Sequence, residues 1–350
     1  MFSEGMTKPD GREPLVSVVV PVFNGEEYLA ESLESILGQT YDNLEVVVMD
    51  DASTDRAPEI LRLYAERDPR VRYERQTKNR GIFGNINDGI ALARGDYVAI
   101  HHSDDVYDRE ILAVEVAYLD RHPDIGAVFC TDIFIDRSGT EFGRLELPPE
   151  IRAAEVLSYA DVLNAILRHQ NVFIRGGTSL IRRAVYDEVG RFDDRYALRA
   201  DLDMWLRISR RFPIAILDRP LVRYRTHAEN ASVRYARFRT EPELWFSVVD
   251  RALAEGGMDD ARPDALAAYE GHRAHDLVIV AVNQYILGDR TGMRATLERV
   301  KPRRIVGTRR IRRWRLLFLW ASVQLLARLP RLDVAARAFS RRLHRAGETA

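Results

Sequence analysis

"LVSVVVPVFNGEEYLAESLESIL", residues 15–37, decides the architecture. Leu15 to Phe23 form a β-branched run with no clean alternation and too short for a membrane helix, the pattern of a strand buried on both faces. A polar turn, Asn24 to Glu27, follows, and Leu29, Leu33, Ile36 and Leu37 then fall on one helical stripe. The strand–turn–helix unit recurs. "LEVVVMDDAS" reads as a second buried strand ending in acids, with Ser53 or Thr54 able to cap a helix that carries Ile60, Leu61 and Leu63. "RVRYERQ" is a third, more polar strand, "FGNINDGIALARG" a helix stopped by Gly95, and "DYVAIHH" a fourth strand. Such alternation implies right-handed βαβ crossovers and an α/β fold with a mostly parallel, Rossmann-like sheet flanked by helices.

Ligands of open α/β sheets bind beyond the carboxyl ends of the strands. Asn24, Asp50, Asp51 and the stretch "HHSDD", residues 101–105, therefore emerge at one edge. Imidazoles suit zinc, iron or nickel, and adjacent carboxylates suit Mg²⁺ or Mn²⁺, so in isolation "HHSDD" fits a hydrolase, a phosphotransferase or a plain surface loop. Asp104 could equally cap the helix containing Ile111, Leu112 and Val116, and Asp50 and Asp51 could cap the helix after them.

Beyond residue 125 the pattern is mixed, with strands expected at "IGAVFC", "TSLIR", "FPIAILD" and "LVRYRTH" and helices around 158–168 and 200–211. From about 236 to 300 the chain reads as helical, and the change of period sets a soft boundary near 232.

The 350 residues, 46% of them hydrophobic, support a sizeable core. The single cysteine, Cys130, rules out an intramolecular disulfide and a multi-cysteine zinc site, and its apolar setting reads as a small buried residue. "MFSEGMTKPDGREP" is polar and unlike a secretory signal, so the cytoplasm is the expected compartment. The net charge of −1 conceals a division. Residues 301–350 hold 14 Lys or Arg against Asp333 and Glu348, a balance of +12, which leaves −13 on the first 300. An acidic body with a basic tail suits a nucleotide–metal site and an anionic surface.

Four ordered segments carry a family resemblance: residues 16–55, 79–105 ("NRGIFGNINDGIALARGDYVAIHHSDD"), 190–209 ("GRFDDRYALRADLDMWLRIS") and 221–227 ("LVRYRTH"). They resemble the successive signatures of the family 2 glycosyltransferases, which have the GT-A fold. The resemblance implies a catalytic domain over 15–232, with a nucleotide-binding half (15–125) and an acceptor half (126–232), after a polar segment (1–14) and before a helical region (233–300) and a basic tail (301–350). It implies an inverting transfer from a nucleoside-diphosphate sugar to an acceptor hydroxyl, with Mn²⁺ or Mg²⁺ as cofactor. Pro21, Phe23 and Asn24 resemble the loop that cradles the base, and Asp51 the carboxylate that hydrogen-bonds it. Asp104 resembles the acid near the ribose, Asp105 the metal carboxylate, and His227 a histidine near the diphosphate and metal, although a lone histidine is as readily structural. Asp201, at the start of "ADLDMWLRIS", matches the general base, with Asp203 the second choice. "GGTSL", Gly176 to Leu180, matches the acceptor-side strand. The sequence departs from the pattern twice: His102 stands where many members have aspartate, and Ala200 where many have glutamate.

In the tail, arginines precede a twelve-residue, mostly apolar run, Leu316 to Ala327, short of the about 20 residues that span a bilayer. An in-plane helix is expected, with arginines at anionic headgroups and Trp314, Leu317, Phe318 and Trp320 in the membrane interface; the alternative is that the apolar side packs on protein. Nucleic acid ranks last, for want of a reading motif. The acceptor would then be a glycan or lipid-linked precursor. Two competing readings are a metal-dependent nucleotidyltransferase, which normally has a glycine-rich basic loop after the first strand, and a non-catalytic sugar-nucleotide binding protein at the membrane.

Overall fold

The computed structural model describes residues 12–227 and 239–301, together with 317, 318, 320–322, 324 and 325. The chain divides into two compact units, Met1–Asn230 and Ala231–Ala350.

The first unit is built on a nine-stranded sheet. Strands β1 (Val16–Val22), β2 (Leu44–Asp50), β3 (Val71–Arg75) and β4 (Tyr97–Ile100) are parallel and lie in the order β3-β2-β1-β4. Every residue of β1, β2 and β4 is buried, as expected of strands covered on both faces. Helices α1 (Leu29–Leu37), α2 (Ala57–Arg67) and α4 (Ile111–Arg121) pack on one face through Leu29, Leu33, Ile36, Leu61 and Ile111 against Val16, Val18 and Val20. On the other face α3 (Ile82–Leu92) lies so close that a Cβ on Gly89 would stand 2.4 Å from Val19 Cγ1, so a side chain there would push the helix off the sheet.

The sheet continues antiparallel through β8 (Ser179–Arg182) to β6 (Ala127–Ile135), then parallel to β9 (Ile214–Arg225), and ends at the two-residue β5 (Val106–Tyr107), with β7 (Glu141–Arg144) beside β6. Three observations differ from the sequence expectation. "FPIAILD" and "LVRYRTH" form the one long strand β9, because Pro220, which has no N–H to donate, sits at an irregularity opposite Thr131 and not in a break. The short β7 is exposed throughout and has no apolar pattern to betray it. Helix α7 (Arg183–Val189) follows β8 directly, so no turn signal separates them.

Helices α5 (Pro149–Arg152), α6 (Tyr159–His169) and α8 (Ala200–Arg211) are the remaining described α-helices of this unit. Ser158 and Asp161 form a capping box at the start of α6.

The second unit is helical, with Leu244–Ala252, Pro263–Leu287 and Arg290–Arg299 as its main described helices. Leu317 and Trp320, expected at a lipid interface, instead pack against Ala274, Leu277, Val278 and Val300, while Phe318 is 75% exposed. Packing wins at these two positions because the two long helices leave an apolar face beside them. Trp314 and the arginine cluster of the tail lie outside the described residues. Among the described residues no helix is long and apolar enough to cross a membrane.

Candidate active site

The ends of β1 and β2 are tied together by Asn24. Its N–H donates to Ser53 Oγ at 3.0 Å, and its Oδ1 accepts from the N–H and hydroxyl of Thr54 at 2.8 and 3.3 Å. The φ of +52° at Asn24, and of +62° at Ala52 in the facing loop, bring the two turns into register; asparagine tolerates this region better than alanine does. Phe23 is half exposed beside Asn24, whereas Pro21 is buried within β1 opposite Met49, so the loop itself begins at Phe23.

The two acids at the end of β2 have separate fates. Asp50 accepts from Ser53 N–H at 2.8 Å and from the Tyr73 hydroxyl at 3.0 Å, and pairs with Arg75 at 3.2 Å, so it is spent on holding the loop. Asp51 accepts from Arg80 N–H at 2.6 Å. Burial pushes its carboxyl above the usual range, against the pull of the Arg80 and Gly81 amides.

Of the two histidines that end β4, His101 belongs to the core. Its ring is fully buried and stacks on Tyr107 at 3.7 Å, and neither ring nitrogen has a hydrogen-bond partner among the described residues. Burial, with His102 adding to it, holds its pKa down to about 3, so the ring is neutral. His102 faces the acids, with Nδ1 3.6 Å from Asp105 Oδ2. Burial opposes its charged form, but Asp105, Asp104 and Asp201 outweigh that effect and raise its pKa.

Asp105 is 1% exposed. Its Oδ1 accepts from Arg225 N–H at 2.9 Å, and its Oδ2 has no hydrogen-bond partner among the described residues. An orphaned buried carboxylate oxygen is costly unless another ligand satisfies it, and here burial drives the carboxyl's pKa upward. Asp104 contacts His227 Nε2 at 3.1 Å, and this bond keeps its pKa below the ordinary value despite burial. One ligand atom each from His102, Asp104 and Asp105 lies within 4.8 Å of the others. Gly177 fronts the cluster: a Cβ there would come 3.4 Å from both Asp105 Oδ2 and His102 Nδ1. The orphaned oxygen and the side-chain-free wall fit a divalent cation.

Arg225 holds this arrangement together. Its buried guanidinium donates to the Asp104 carbonyl at 3.0 Å, to the Asp136 and Arg137 carbonyls at 3.3 and 3.2 Å, and to Glu31 at 2.6 Å. It also lies over the Tyr28 ring at 4.5 Å. Beside Gly176, Arg175 pairs at 2.9 Å with fully buried Asp132, whose carboxyl burial pushes up to about 6.

Asp201 and Asp203 open α8. Asp203 is fully buried and accepts from Arg207 Nε at 2.9 Å, and Nη1 and Nη2 of the same guanidinium donate to the Val189 and Arg191 carbonyls. Asp201 is half-buried, and its Oδ1 accepts from Leu202 N–H at 2.6 Å. Burial raises its pKa, while the Leu202 amide, Arg199 and His102 act against that rise.

The central sheet flanked by helices is similar to that of GT-A glycosyltransferase structures. Residues 17–190 match the family described as Glycosyl transferase family 2. An uncharacterized glycosyltransferase of Haemophilus influenzae is 30% identical over 65% of this chain and 70% of its own length. Chondroitin synthase of Escherichia coli is 29% identical over 71% of this chain and 34% of its length. The chain thus spans about a third of that relative, and 39% of an uncharacterized glycosyltransferase of Rickettsia felis. S. aureus TarS 1–349, solved with UDP-GlcNAc, is 19% identical with a TM-score of 0.61, covering 89% of this chain and 91% of that one, a likeness of fold. The chain belongs to glycosyl transferase family 2 and is a glycosyltransferase.

The structure brings Asp104, Asp105 and His227 to one place and sets Phe23, Asn24 and Asp51 along the β1 and β2 ends, while Asp201 stands at the start of α8. Sequence reasoning did not find Arg225 or the Asp132–Arg175 pair. A charged residue inside the apolar "AVFCTDIFI" was a usable signal for Asp132; nothing in "LVRYRTH" distinguishes Arg225 from Arg223, which is exposed.

Proposed function

We propose that the chain is an inverting, metal-dependent glycosyltransferase that moves a sugar from a nucleoside-diphosphate donor to a hydroxyl of a glycan or lipid-linked acceptor. The observation that carries this reading is the orphaned Oδ2 of Asp105, buried at a strand end among His102, Asp104 and Gly177. Mn²⁺ or Mg²⁺ bound by Asp105, Asp104 and the neighbouring imidazole would supply positive charge facing the donor diphosphate.

The chain's own residues divide the remaining work. Asp51, whose carboxyl points from the end of β2, accepts a hydrogen bond from the base, beside Phe23 and Asn24. His227 orients Asp104 for the ribose side of the donor. Asp201 takes the proton of the acceptor hydroxyl as its oxygen bonds to the anomeric carbon; the bond to the diphosphate breaks with its electron pair leaving on the nucleotide, and the configuration inverts. A raised pKa suits such a base, since a stronger base is a better proton acceptor near neutral pH. Asp203 is committed to Arg207 and leaves the role to Asp201.

The nucleotidyltransferase alternative is less well supported, because the turn after β1, "NGEE", has one glycine and no lysine. For the tail we retain association with an anionic membrane surface on the cytoplasmic side, carried by the arginines and the exposed Phe318. Flotation with anionic liposomes checks it: replacing Arg309, Arg310, Arg312 and Arg313 by Ala should release the protein, and undiminished binding would refute it.

The decisive assay is nucleoside-diphosphate release from a panel of nucleotide sugars with Mn²⁺ or Mg²⁺ and a lipid extract. Release that needs metal and is lost in Asp105→Asn and Asp201→Asn supports the reading. Release that survives EDTA and both substitutions overturns it.

A further inference from the structure

His102 stands where the family pattern leads one to expect an aspartate, and the structure shows a built position for its ring. The backbone is fixed on both sides: its N–H donates to the Tyr107 hydroxyl at 2.5 Å, and its carbonyl accepts from Ser32 Oγ at 2.9 Å. Beneath it the His101–Tyr107 stack fills the core. The ring is thereby directed to the carboxylates, with Nδ1 3.6 Å from the orphaned Oδ2 of Asp105.

That separation is too long for a hydrogen bond. It is close to the spacing of two donors around one cation, because bonds of about 2.1 Å meeting near a right angle hold their donor atoms about 3 Å apart. A Cβ on Gly177 would come 3.4 Å from both atoms, so the glycine leaves open the space the two share. The other nearby imidazole, that of His227, is directed at Asp104 Oδ2 at 3.1 Å and is positioned to hold that carboxylate.

We propose that His102 is a direct ligand of the bound cation and that its imidazole biases this site toward Mn²⁺ over Mg²⁺. The inference rests on the metal-dependent reading above. Mg²⁺ demands oxygen donors and keeps its waters, whereas an imidazole nitrogen raises affinity for transition ions. Replacing the family's aspartate by histidine exchanges a hard donor for a borderline one, and His102→Asp returns the set to all oxygen.

The full-length protein, stripped with EDTA, is titrated with Mn²⁺ and with Mg²⁺ in the presence and absence of UDP, and the bound Mn²⁺ is read by pulsed EPR for ¹⁴N coupling. The wild type should show nitrogen coupling that persists in His227→Gln and vanishes in His102→Asp. The Mn²⁺-to-Mg²⁺ affinity ratio should fall at least about tenfold in His102→Asp, the scale on which altered metal-site residues act. Bound Mn²⁺ without nitrogen coupling, coupling that is lost only in His227→Gln, or an unchanged ratio would overturn the proposal while leaving metal dependence intact. Failure of the wild type to bind Mn²⁺ even with UDP would instead overturn the metal reading beneath it. The EPR signal of the wild type needs no variant, so the proposal stays testable if a substitution unfolds the protein.

Discussion

Two Asp–Asp pairs follow strands β2 and β4, which flank β1 in one sheet, and are used in opposite ways. At the end of β2, Asp50 is surrounded by Ser53, Tyr73 and Arg75 and serves the loop, while buried Asp51 accepts from the Arg80 amide. After β4, Asp104 is held by His227, and Asp105 keeps one buried oxygen without a hydrogen-bond donor among the described residues. Asp201 and Asp203 differ likewise on a helix, with Asp203 committed to an arginine and Asp201 accepting only from the Leu202 amide among the hydrogen bonds described. Adjacent acids therefore diverge according to which of them has its hydrogen-bonding capacity used up by the fold.

The strongest way to break this comparison is at α8. Asp201→Asn should lower kcat on the order of 10²- to 10⁴-fold, the usual worth of a general base, with little change in thermal stability. Asp203→Asn should do the reverse. It breaks the pair of fully buried Asp203 with the partly exposed Arg207, at a cost on the order of 3 kcal/mol, leaving kcat per folded molecule near wild type. Denaturant melts and turnover measured on the same samples separate the two, and equal losses of turnover would sink the division of roles.

At β2 the same logic gives a smaller contrast. Asp51→Asn should raise the donor KM roughly tenfold or more, since a hydrogen bond to a charged group contributes about 1.5–3 kcal/mol. Asp50→Asn should leave KM nearly unchanged and lower stability by about 1–3 kcal/mol through its unsatisfied buried partners. Isothermal titration with the nucleoside diphosphate that the donor panel identifies, and a urea melt, decide it.

The acid limb of the rate profile sharpens the assignment of Asp201. Its raised pKa means that kcat/KM, measured with saturating metal, should fall as pH drops through a value above the 3.8 of an ordinary aspartate. A limb at 3.8 or below would place the base elsewhere.

The smallest expected effect lies in the pH dependence of stability without metal. Asp51 has a folded pKa above its unfolded one, so its stabilising contribution is present below the unfolded value and is lost as pH rises through the folded one. Asp104 has a depressed folded pKa; its contribution is present above the unfolded value and is lost as pH falls through the folded one. Relative to wild type, Asp51→Asn should thus gain stability, and Asp104→Asn lose it, on going from pH 3 to pH 7 in urea melts. Shifts of the same sign would contradict the contrast.

The parallel half of the fold was legible because its signals are local: β-branched runs, helical stripes and turn residues follow one another within each βα unit. The strand-end acids were legible for the same reason. Which acid of a pair stays available was not, because the partners that decide it come from far along the chain. Arg225 reaches Asp105 across 120 residues, and His227 reaches Asp104 across 123. The antiparallel half hid its elements where a strand was wholly exposed, as in β7, or where a proline interrupted a strand without ending it, as in β9.

That interruption has a further consequence. Ala127 pairs with Ile214, an offset of 87, but Ile135 pairs with Arg225, an offset of 90, so β9 gains three residues on its neighbour between Leu217 and Val222. Side chains alternate with period two along a strand, and an odd gain exchanges the two faces. The exposed stretch from Asp218 to Pro220 acts as a counting device that sets which way residue 225 points. A one-residue deletion there, at a surface where length changes are ordinarily tolerated, would carry a neighbouring side chain into the place of the arginine and disarm an acid more than 100 positions away.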